Sequence, residues 1–360
     1  MTASTFTAQA EVRINGFASL IGGLTSSNES LFGYEDKIGF SEESLFAVQV
    51  SGDINDKMTA TGQILARANN DYKAEFEWAY ITYSATDNIS ISAGRLRLPL
   101  FKYSASLDVG YSYHWVNAPQ SVYDVAFNNI EGVRVDYSNY AGDWEYNLQL
   151  AFGAFDNSNE IYTLSGKDVV VFTAEAQNEG FNVRGVIGRG KNTFTVPDLE
   201  PVIAGIEPFI SPTLLNNLKM EDDTGIFLGL GLEYDAYDWF VSAEITSVDT
   251  EDSFLAEDIA YYATAGIRFG KFTPSLTYEV KDSDDDLKFA DQINLLPDSL
   301  QGTIAVLEAA FDDDNETITL ALRYDMDTNV ALKADISKYT DNLDASNDAT
   351  LVRVGVNYVF

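Results

Sequence analysis

The segment ETITLALRYDM, residues 316–326, alternates strictly between apolar and polar or small side chains. Its apolar members all share one parity and are Ile318, Leu320, Leu322, Tyr324 and Met326. The members of the other parity are Thr317, Thr319, Ala321, Arg323 and Asp325. Because successive side chains of a strand point to opposite faces of a sheet, this pattern predicts a β-strand with one apolar and one polar face.

The same alternation recurs along the whole chain. It is found again in LVRVGVNYVF, residues 351–360, and we identify about sixteen such segments in all. We therefore predict an all-β fold without helices, in which about 16 antiparallel strands form one closed barrel. The whole chain, residues 1–360, is expected to be a single transmembrane β-barrel domain.

The links between these segments alternate in length. Short turns rich in Gly, Asp and Asn, such as YAGD, QNEG and DMDT, follow every second segment. The other links are longer and cover residues 22–42, 98–128, 155–168, 191–224, 247–258, 282–315 and 340–349. One link, ANND at residues 68–71, is short where a long one is due. Tight turns on one side and long loops on the other are typical of a barrel that crosses a membrane.

The cations follow the polar parity of the strands. Nearly all of them alternate with the apolar residues of their segments, and they include Arg13, Arg67, Arg134, Arg323 and Arg353. An arginine that faces lipid at the membrane midplane costs about 2–4 kcal/mol, so this segregation favours a membrane barrel. A soluble β-sandwich would place the same arginines in water and is the alternative. A propeller is disfavoured because no repeat of about 40–50 residues is present.

The composition lacks what most enzymes and metal sites need. Cysteine is absent and His114 is the only histidine, which excludes disulfides, thiolate nucleophiles and multi-histidine metal sites. A serine triad would be possible only around His114. The glycines of GLGLEY resemble a dinucleotide-binding motif, but Tyr234 occupies the position of its third glycine. We predict no catalytic residues, no metal site, no cofactor and no enzymatic activity.

The chain is strongly acidic, with 22 Lys and Arg against 56 Asp and Glu and a net charge of -34. Repulsion from a phosphate backbone argues against a nucleic-acid partner. The carboxylates concentrate in links such as DSDDD, residues 282–286, and DDDNE, residues 312–316. They predict a hydrated outer surface or, alternatively, one that binds divalent cations and bridges to lipopolysaccharide. The start, MTASTFTAQAEV, has neither a basic nor an apolar stretch, as expected of a mature form without a signal peptide.

In these features the chain resembles the Gram-negative outer-membrane porins of the general-diffusion type, and more closely porin-like proteins of marine gammaproteobacteria. The resemblance rests on the strand number, the alternating links, the terminal Phe360 and the segment GRLRLPLFKYSASLDVGYSYHW, residues 94–115. It implies an outer-membrane location in a Gram-negative bacterium, contact with lipid and lipopolysaccharide, and a homotrimer. It also implies that Phe360 acts as the barrel-assembly signal.

The resemblance further implies a constriction loop at residues 98–128, folded into the lumen. A large barrel has a wide, wet lumen, so something must fold inward if solutes are to be selected. The implied pore-lining residues are Arg13, Arg67, Arg134, Arg323 and Arg353 on the wall, Arg95 and Arg97 at the loop entrance, and Lys102, Asp108, His114 and Asp124 on the loop. Arg95 and Arg97 share the parity of Ile89 and Ile91, which requires either a bulge near Gly94 or a position beyond the lipid zone.

Three functions are compatible with the sequence. The primary hypothesis is a water-filled porin for passive diffusion of ions and small hydrophilic solutes. The first alternative is a substrate-selective channel for anions such as phosphate or dicarboxylates, because Arg95, Arg97 and Lys102 cluster at the loop. The second alternative is a non-conducting barrel that acts as a receptor or adhesin through its acidic loops. The sign of the preferred ion stays open at this stage.

Overall fold

The computed structural model describes residues 11–27, 30–123, 125, 127–159, 161–284 and 288–360. Within these ranges sixteen antiparallel strands pair in sequence order, and the last pairs with the first to close one barrel. The strands are β1 Val12–Thr25, β2 Leu45–Asn55, β3 Met58–Arg67, β4 Ala74–Ser84, β5 Ile89–Arg97, β6 Asn129–Ala141, β7 Trp144–Ser158, β8 Thr163–Asn178, β9 Phe181–Thr195, β10 Asp223–Asp235, β11 Trp239–Thr250, β12 Asp258–Ile267, β13 Phe272–Ser283, β14 Asp314–Asp327, β15 Val330–Asp341 and β16 Ala349–Val359. The predicted all-β closed barrel of about 16 strands is confirmed.

The two ends of the barrel differ. The turn end carries the short β-turns together with the start of β1 and the end of β16, since Phe17 pairs with Val359. The loop end carries the long links, which include residues 98–128 between β5 and β6. The short link predicted at residues 68–71 lies at the loop end as a single 3₁₀ turn, Ala68–Asn70.

The two faces of the wall differ in the way that the alternation predicts. Leu276 and Leu320 lie on the outward face and keep 54% and 56% of their surface exposed. Their neighbours in sequence, Thr277 and Thr319, face inward and are buried. Burial of hydroxyl groups beside exposed leucines means that the barrel presents its apolar side outward and its polar side to the interior.

The long links contain helices, which the sequence analysis did not predict. They are α1 Gln120–Tyr123, α2 Glu200–Ile206, α3 Pro212–Lys219, α4 Ala290–Ile293 and α5 Asp298–Ala309. Five further 3₁₀ turns are Ser104–Ser106, Gly110–Ser112, Pro197–Leu199, Glu207–Phe209 and Ala345–Asn347. In the described part of the chain, no helix is long and apolar enough to cross a membrane.

Helices α2 to α5 form because they bury one another. Leu214 and Leu218 of α3 pack with Ile304 of α5 and Phe254 of the β11–β12 link in a small apolar cluster. Ser211 is the N-cap of α3, and its Oγ accepts a hydrogen bond from the Leu214 N–H at 3.1 Å. A serine at this position is a sequence signal for the start of a helix. These contacts turn three long links into one packed unit at the loop end.

One predicted long link, residues 155–168, is shorter in the structure. β7 continues to Ser158 and β8 begins at Thr163, so that the strands remain paired beyond the predicted ends. A register shift between Gly153 and Phe155 allows this extension. Because this bulge interrupts the alternation of side chains in β7, the sequence pattern places the end of the strand too early.

Candidate functional site

The segment 98–128 contacts inward-facing side chains of strands that lie far from it in sequence. The Trp115 Nε1 donates to the Thr277 Oγ1 of β13 at 2.8 Å, and the Tyr123 hydroxyl donates to the Glu244 carboxylate of β11 at 2.5 Å. Glu244 also accepts from the backbone N–H of Lys102 at 2.9 Å. The segment is therefore attached to the polar face of the wall.

An apolar cluster holds the segment against the same strands. Phe101, Trp115 and Tyr123 are buried together with Phe227 of β10 and Tyr262 of β12. The Phe101 and Phe227 rings meet edge to face with their centroids 5.5 Å apart. Because aromatic residues bury large areas, this cluster stabilises the segment in one conformation.

Cations on the wall bind main-chain carbonyls of the segment. The Lys333 Nζ of β15, on a residue only 3% exposed, donates to the carbonyl of Trp115 at 2.6 Å and to that of Gly110. The Arg323 Nη1 of β14 donates to the carbonyls of Tyr111 and Tyr113 at 2.7 Å each. These cations hold residues 110–115 and are not directed at free acidic groups of the loop.

A network of four charged side chains joins β3, β4 and β5 to the segment. Arg67 donates to Glu77 at 3.1 Å and to Asp108 at 2.8 Å. Arg97 donates to Glu77 at 2.8 Å and also to Asp108. Glu77 reaches this position because it is the extra residue of a bulge in β4, where Gln63 pairs with Trp78 and Ile64 with Phe76.

A second network joins β15 and β16 to the first long link. Arg353 donates to Asp335 at 2.9 and 3.0 Å and to Glu43 at 2.8 Å. Glu43 also contacts the segment, since its Oε1 accepts from Asn117 at 2.9 Å and from Gln120 at 3.2 Å, while its Oε2 accepts from the Tyr34 hydroxyl at 2.9 Å. Arg353 thus acts on the segment through Glu43.

The remaining predicted residues are distributed more widely. Arg13 lies at the turn end and pairs with Asp53 at 2.9 Å, away from the segment 98–128. Arg134 pairs with Asp136 of its own strand at 3.0 Å. Lys102 pairs with Glu233 of β10. Asp124 lies outside the described residues.

Arg95 and Arg97 lie in different surroundings. The bulge near Gly94 that the sequence allows is not found between β5 and β6. β5 and β6 pair continuously from Ile89–Tyr137 to Arg97–Asn129. Arg95 pairs with Glu131 at 3.4 Å near the loop end, and both side chains are partly exposed to solvent. Arg97 is buried in the network with Glu77 and Asp108.

His114 is packed between two aromatic rings. Its ring centroid lies 4.0 Å from that of Trp115 and 4.6 Å from that of Phe240. Among the described residues, its buried Nε2 has no hydrogen-bond partner. Burial lowers the pKa of His114 well below its ordinary value, and the cations Lys333, Arg323, Arg268 and Lys102 lower it further.

Two cavities lie on opposite sides of the segment. The loop-side cavity, of about 920 Å³, reaches long-link residues such as Phe32 and Tyr162. The turn-side cavity, of about 300 Å³, reaches Ser138 and Asn147, close to the β6–β7 turn. Together they leave space on both sides of the segment 98–128.

The two cavities differ in charge. Seven carboxylates of described residues line the loop-side cavity: Glu42, Glu43, Glu75, Glu77, Asp108, Glu131 and Asp156. Two guanidinium groups, of Arg67 and Arg95, accompany them. In the turn-side cavity the described cations are Arg97, Lys102, Arg134 and Arg184, against Asp136 and Glu175. Negative charge therefore prevails on the loop side and positive charge on the turn side.

Sequence reasoning missed the acidic partners on the wall. Glu77, Glu233, Glu244 and Glu279 all face the interior and contact the segment or its cations. The sequence did carry a signal for Glu244, because it has the parity opposite to Val241 and Ile245, which are exposed on the outward face of β11. A buried carboxylate, like a buried arginine, needs an ion-pair or hydrogen-bond partner. Acidic residues on the inward face of a strand therefore predict contact with a loop.

The chain is similar to known proteins over its whole length. The model of the Gram-negative porin family matches residues 1–360. No curated protein sequence matches the chain.

Several solved structures have a similar fold. OmpF of Salmonella typhi in complex with daunomycin is 15% identical, with a TM-score of 0.60 over 98% of each chain. The outer membrane channel DcaP of Acinetobacter baumannii is 12% identical, with a TM-score of 0.61 over 100% of each chain. The trimer form of OmpT, an outer membrane protein of Vibrio cholerae, is 13% identical, with a TM-score of 0.58 over 98% of this chain and 99% of that one. With the family match over its full length, the chain belongs to the Gram-negative porins and is an outer-membrane channel for diffusion.

Proposed function

We propose that the chain forms a water-filled pore for ions and small hydrophilic solutes, that the segment 98–128 narrows this pore, and that cations pass more readily than anions. The pore has no enzymatic role in this proposal. The observation that carries the preference for cations is the excess of carboxylates in the loop-side cavity.

The contacts of the segment support its role as the constriction. Asp108 binds Arg67 of β3, Trp115 binds Thr277 of β13, and the carbonyl of Gly110 binds Lys333 of β15. Strands β3 and β13 lie on well-separated parts of the closed barrel, and the contacts of one segment with both support a path across the interior. A solute that moves along the barrel axis then passes beside the segment.

The charges support cation preference through local concentration. A concave site lined by one sign of charge raises the local concentration of the opposite ion. Glu75 and Asp156 line the loop-side cavity and form no ion pair among the described side chains. The anion-selective alternative relied on Arg97 and Lys102, which are buried and paired with carboxylates. Each of them already has a carboxylate as its partner, which an anion would have to displace in order to bind, and this favours the cation channel over the anion channel.

The test is a reversal potential across planar bilayers with a salt gradient. We expect the dilute side to become positive at zero current, as it does when cations are more permeant. The double variant Glu75→Gln with Asp156→Asn removes two charges from the loop-side cavity and should lower the cation-to-anion permeability ratio about twofold.

The matched control is Glu200→Gln with Asp298→Asn, which removes two exposed carboxylates from the helices of the long links. This variant should keep the permeability ratio of the wild type. A reversal potential of the opposite sign in the wild type would contradict cation preference. Absence of current from the folded protein would contradict the pore and favour the receptor or adhesin alternative.

We also propose a homotrimer in contact with lipid and lipopolysaccharide. The trimer form of OmpT of Vibrio cholerae, which has a similar fold, supports this arrangement. The outward surface of β2 to β5 carries a groove lined by small residues, which include Gly52, Ala60, Gly62 and Ala79, where a second subunit can approach closely. A sedimentation mass of a single chain in mild detergent would contradict the trimer.

A further inference from the structure

The charge of the interior changes sign along the barrel axis. The loop-side cavity has carboxylates in excess, whereas the turn-side cavity has cations in excess. The positive excess on the turn side is unexpected in a chain with a net charge of -34. The two cavities lie one after the other on the path of an ion that crosses the barrel.

The boundary between the cavities is itself polarised. Glu77 and Asp108 line the loop-side cavity, whereas Arg97, which binds both of them, lines the turn-side cavity. The ion pairs therefore span the boundary, with their negative ends toward the loops and their positive end toward the turns. Because Arg97 and Glu77 are both buried, solvent screens this arrangement only in part.

Arg184 increases the positive charge on the turn side. Its guanidinium donates to the carbonyls of Leu100, at 2.9 Å, and of Pro99. No ion pair joins it to a carboxylate within the described ranges. Carbonyl groups satisfy its hydrogen bonds without cancelling its charge, so the field of Arg184 extends into the turn-side cavity.

We propose that these two oppositely charged cavities in series make the channel rectify, with higher conductance when the loop end is at positive potential. At this polarity cations enter through the loop-side cavity and anions enter through the turn-side cavity. Each ion thus crosses first the cavity that concentrates it, and both accumulate at the boundary. At the reverse polarity each ion enters through the cavity that repels it, so the boundary is depleted of carriers. This inference rests on the proposed pore.

Screening determines the conditions under which rectification is visible. The Debye length is about 10 Å at 0.1 M salt and about 3 Å at 1 M. We therefore expect the conductances at opposite polarities to differ about twofold at 0.1 M, and to be nearly equal at 1 M, where the cavity charges are screened.

The experiment records single-channel current against voltage at both salt concentrations. Orientation is determined with Asn69→Cys, which lines the loop-side cavity in a chain that otherwise lacks cysteine. A maleimide polymer too large to enter the pore should reduce the current of this variant only from the loop side. The sign of rectification is then read relative to that side.

Variants on the two sides make the test specific. Arg134→Gln removes a cation from the turn-side cavity and should bring the conductance ratio toward one, whereas Arg134→Lys should retain it. Glu175→Gln removes an acid from the same cavity and should increase the ratio. Lys338→Gln, an outward-facing and exposed residue of β15, loses the same charge as Arg134→Gln and should leave the ratio unchanged.

The outcomes distinguish this inference from the proposed function. A current that is equal at both polarities in 0.1 M salt, with cation preference retained, would overturn rectification and leave the pore intact. Rectification that persists at 1 M, or that Glu175→Gln decreases, would overturn its electrostatic origin. No current at all would overturn the pore on which the inference rests.

Discussion

At the scale of single residues, His114 combines an aromatic environment with a cationic one. It stacks against Trp115 and Phe240, and its buried Nε2 finds no partner among the described residues. Burial and the nearby cations Lys333 and Arg323 lower its pKa. The only histidine of the chain is therefore a packed neutral side chain and adds no positive charge to the segment.

The lowered pKa of His114 predicts a pH-dependent stability. Below about pH 6.5, the ordinary pKa of histidine, the unfolded chain binds a proton that the folded chain does not bind. The free energy of unfolding should then fall as the pH decreases, by up to about 1.4 kcal/mol per pH unit from this residue. Denaturant unfolding in lipid or detergent between about pH 5 and 7 measures this slope.

The control is His114→Phe, which keeps an aromatic ring between Trp115 and Phe240 but removes the titration. Carboxylates also titrate in this range, so the relevant quantity is the difference between the slopes of wild type and variant. Identical slopes would show that His114 does not titrate differently in the folded and unfolded chains.

At the scale of elements, the segment 98–128 is held by cations of the wall as much as by its own acids. Asp108 binds arginines of β3 and β5, as expected for an acidic loop facing a basic wall. Residues 110–115, in contrast, depend on Lys333 and Arg323 binding main-chain carbonyls. Contacts with main-chain carbonyls do not depend on the side chains of the loop. They therefore cannot be predicted from acidic residues in the sequence.

Replacement of Lys333 by methionine should release this part of the segment. The carbonyls of Gly110 and Trp115 lose their donor in a buried place, which costs about 2 kcal/mol of the free energy of unfolding. Single-channel recordings should also show increased current noise, because the segment moves more freely beside the pore.

The matched control for this variant is Lys338→Met, on the outward face of the same strand. It should change the free energy of unfolding by less than about 0.5 kcal/mol and should leave the current noise unchanged. Quiet currents and unchanged stability in Lys333→Met would mean that the apolar cluster around Trp115 is sufficient to hold the segment.

At the scale of the whole molecule, the barrel depends on the seam between β1 and β16. The backbone N–H of Gly16 donates to the carbonyl of Phe360 at 2.9 Å, and the N–H of Phe360 donates back to Gly16 at 3.0 Å. The Phe360 ring lies so close that a Cβ at position 16 would be 2.2 Å from its Cζ. Only glycine permits this approach, so the terminal residue contributes to closure as well as carrying the proposed assembly signal.

Gly16→Val should therefore destabilise the closed barrel. The Phe360 ring must move away from β1, and overpacking of this kind costs about 1–3 kcal/mol. The temperature at which the folded band disappears from a gel, compared with that of the wild type, measures the effect.

Gly185→Val is the matched control, since a Cβ at position 185 of β9 meets nothing within 4 Å. We expect it to unfold at the temperature of the wild type. Equal unfolding temperatures for Gly16→Val and Gly185→Val would contradict the importance of this contact.

Much of the architecture follows from local pattern. The alternation in segments such as residues 316–326 determines which side chains face outward, because the two-residue period of a strand depends on the backbone alone. The number of strands, the closed barrel and the alternation of short and long links follow in the same way. The helices of the long links were missed, although the Ser211 cap of α3 marks one of them.

The tertiary structure alone decides how the interior charges are paired. Arg67 and Asp108 are 41 positions apart, and Lys333 and Gly110 are 223 apart, yet both pairs are in contact. The bulge that turns Glu77 into the network and the division of the interior into two cavities likewise depend on the path of the closed chain. The physical reason is that side-chain parity is a property of each strand by itself. The partner of an inward-facing charge, by contrast, is set only when all sixteen strands have closed into the barrel.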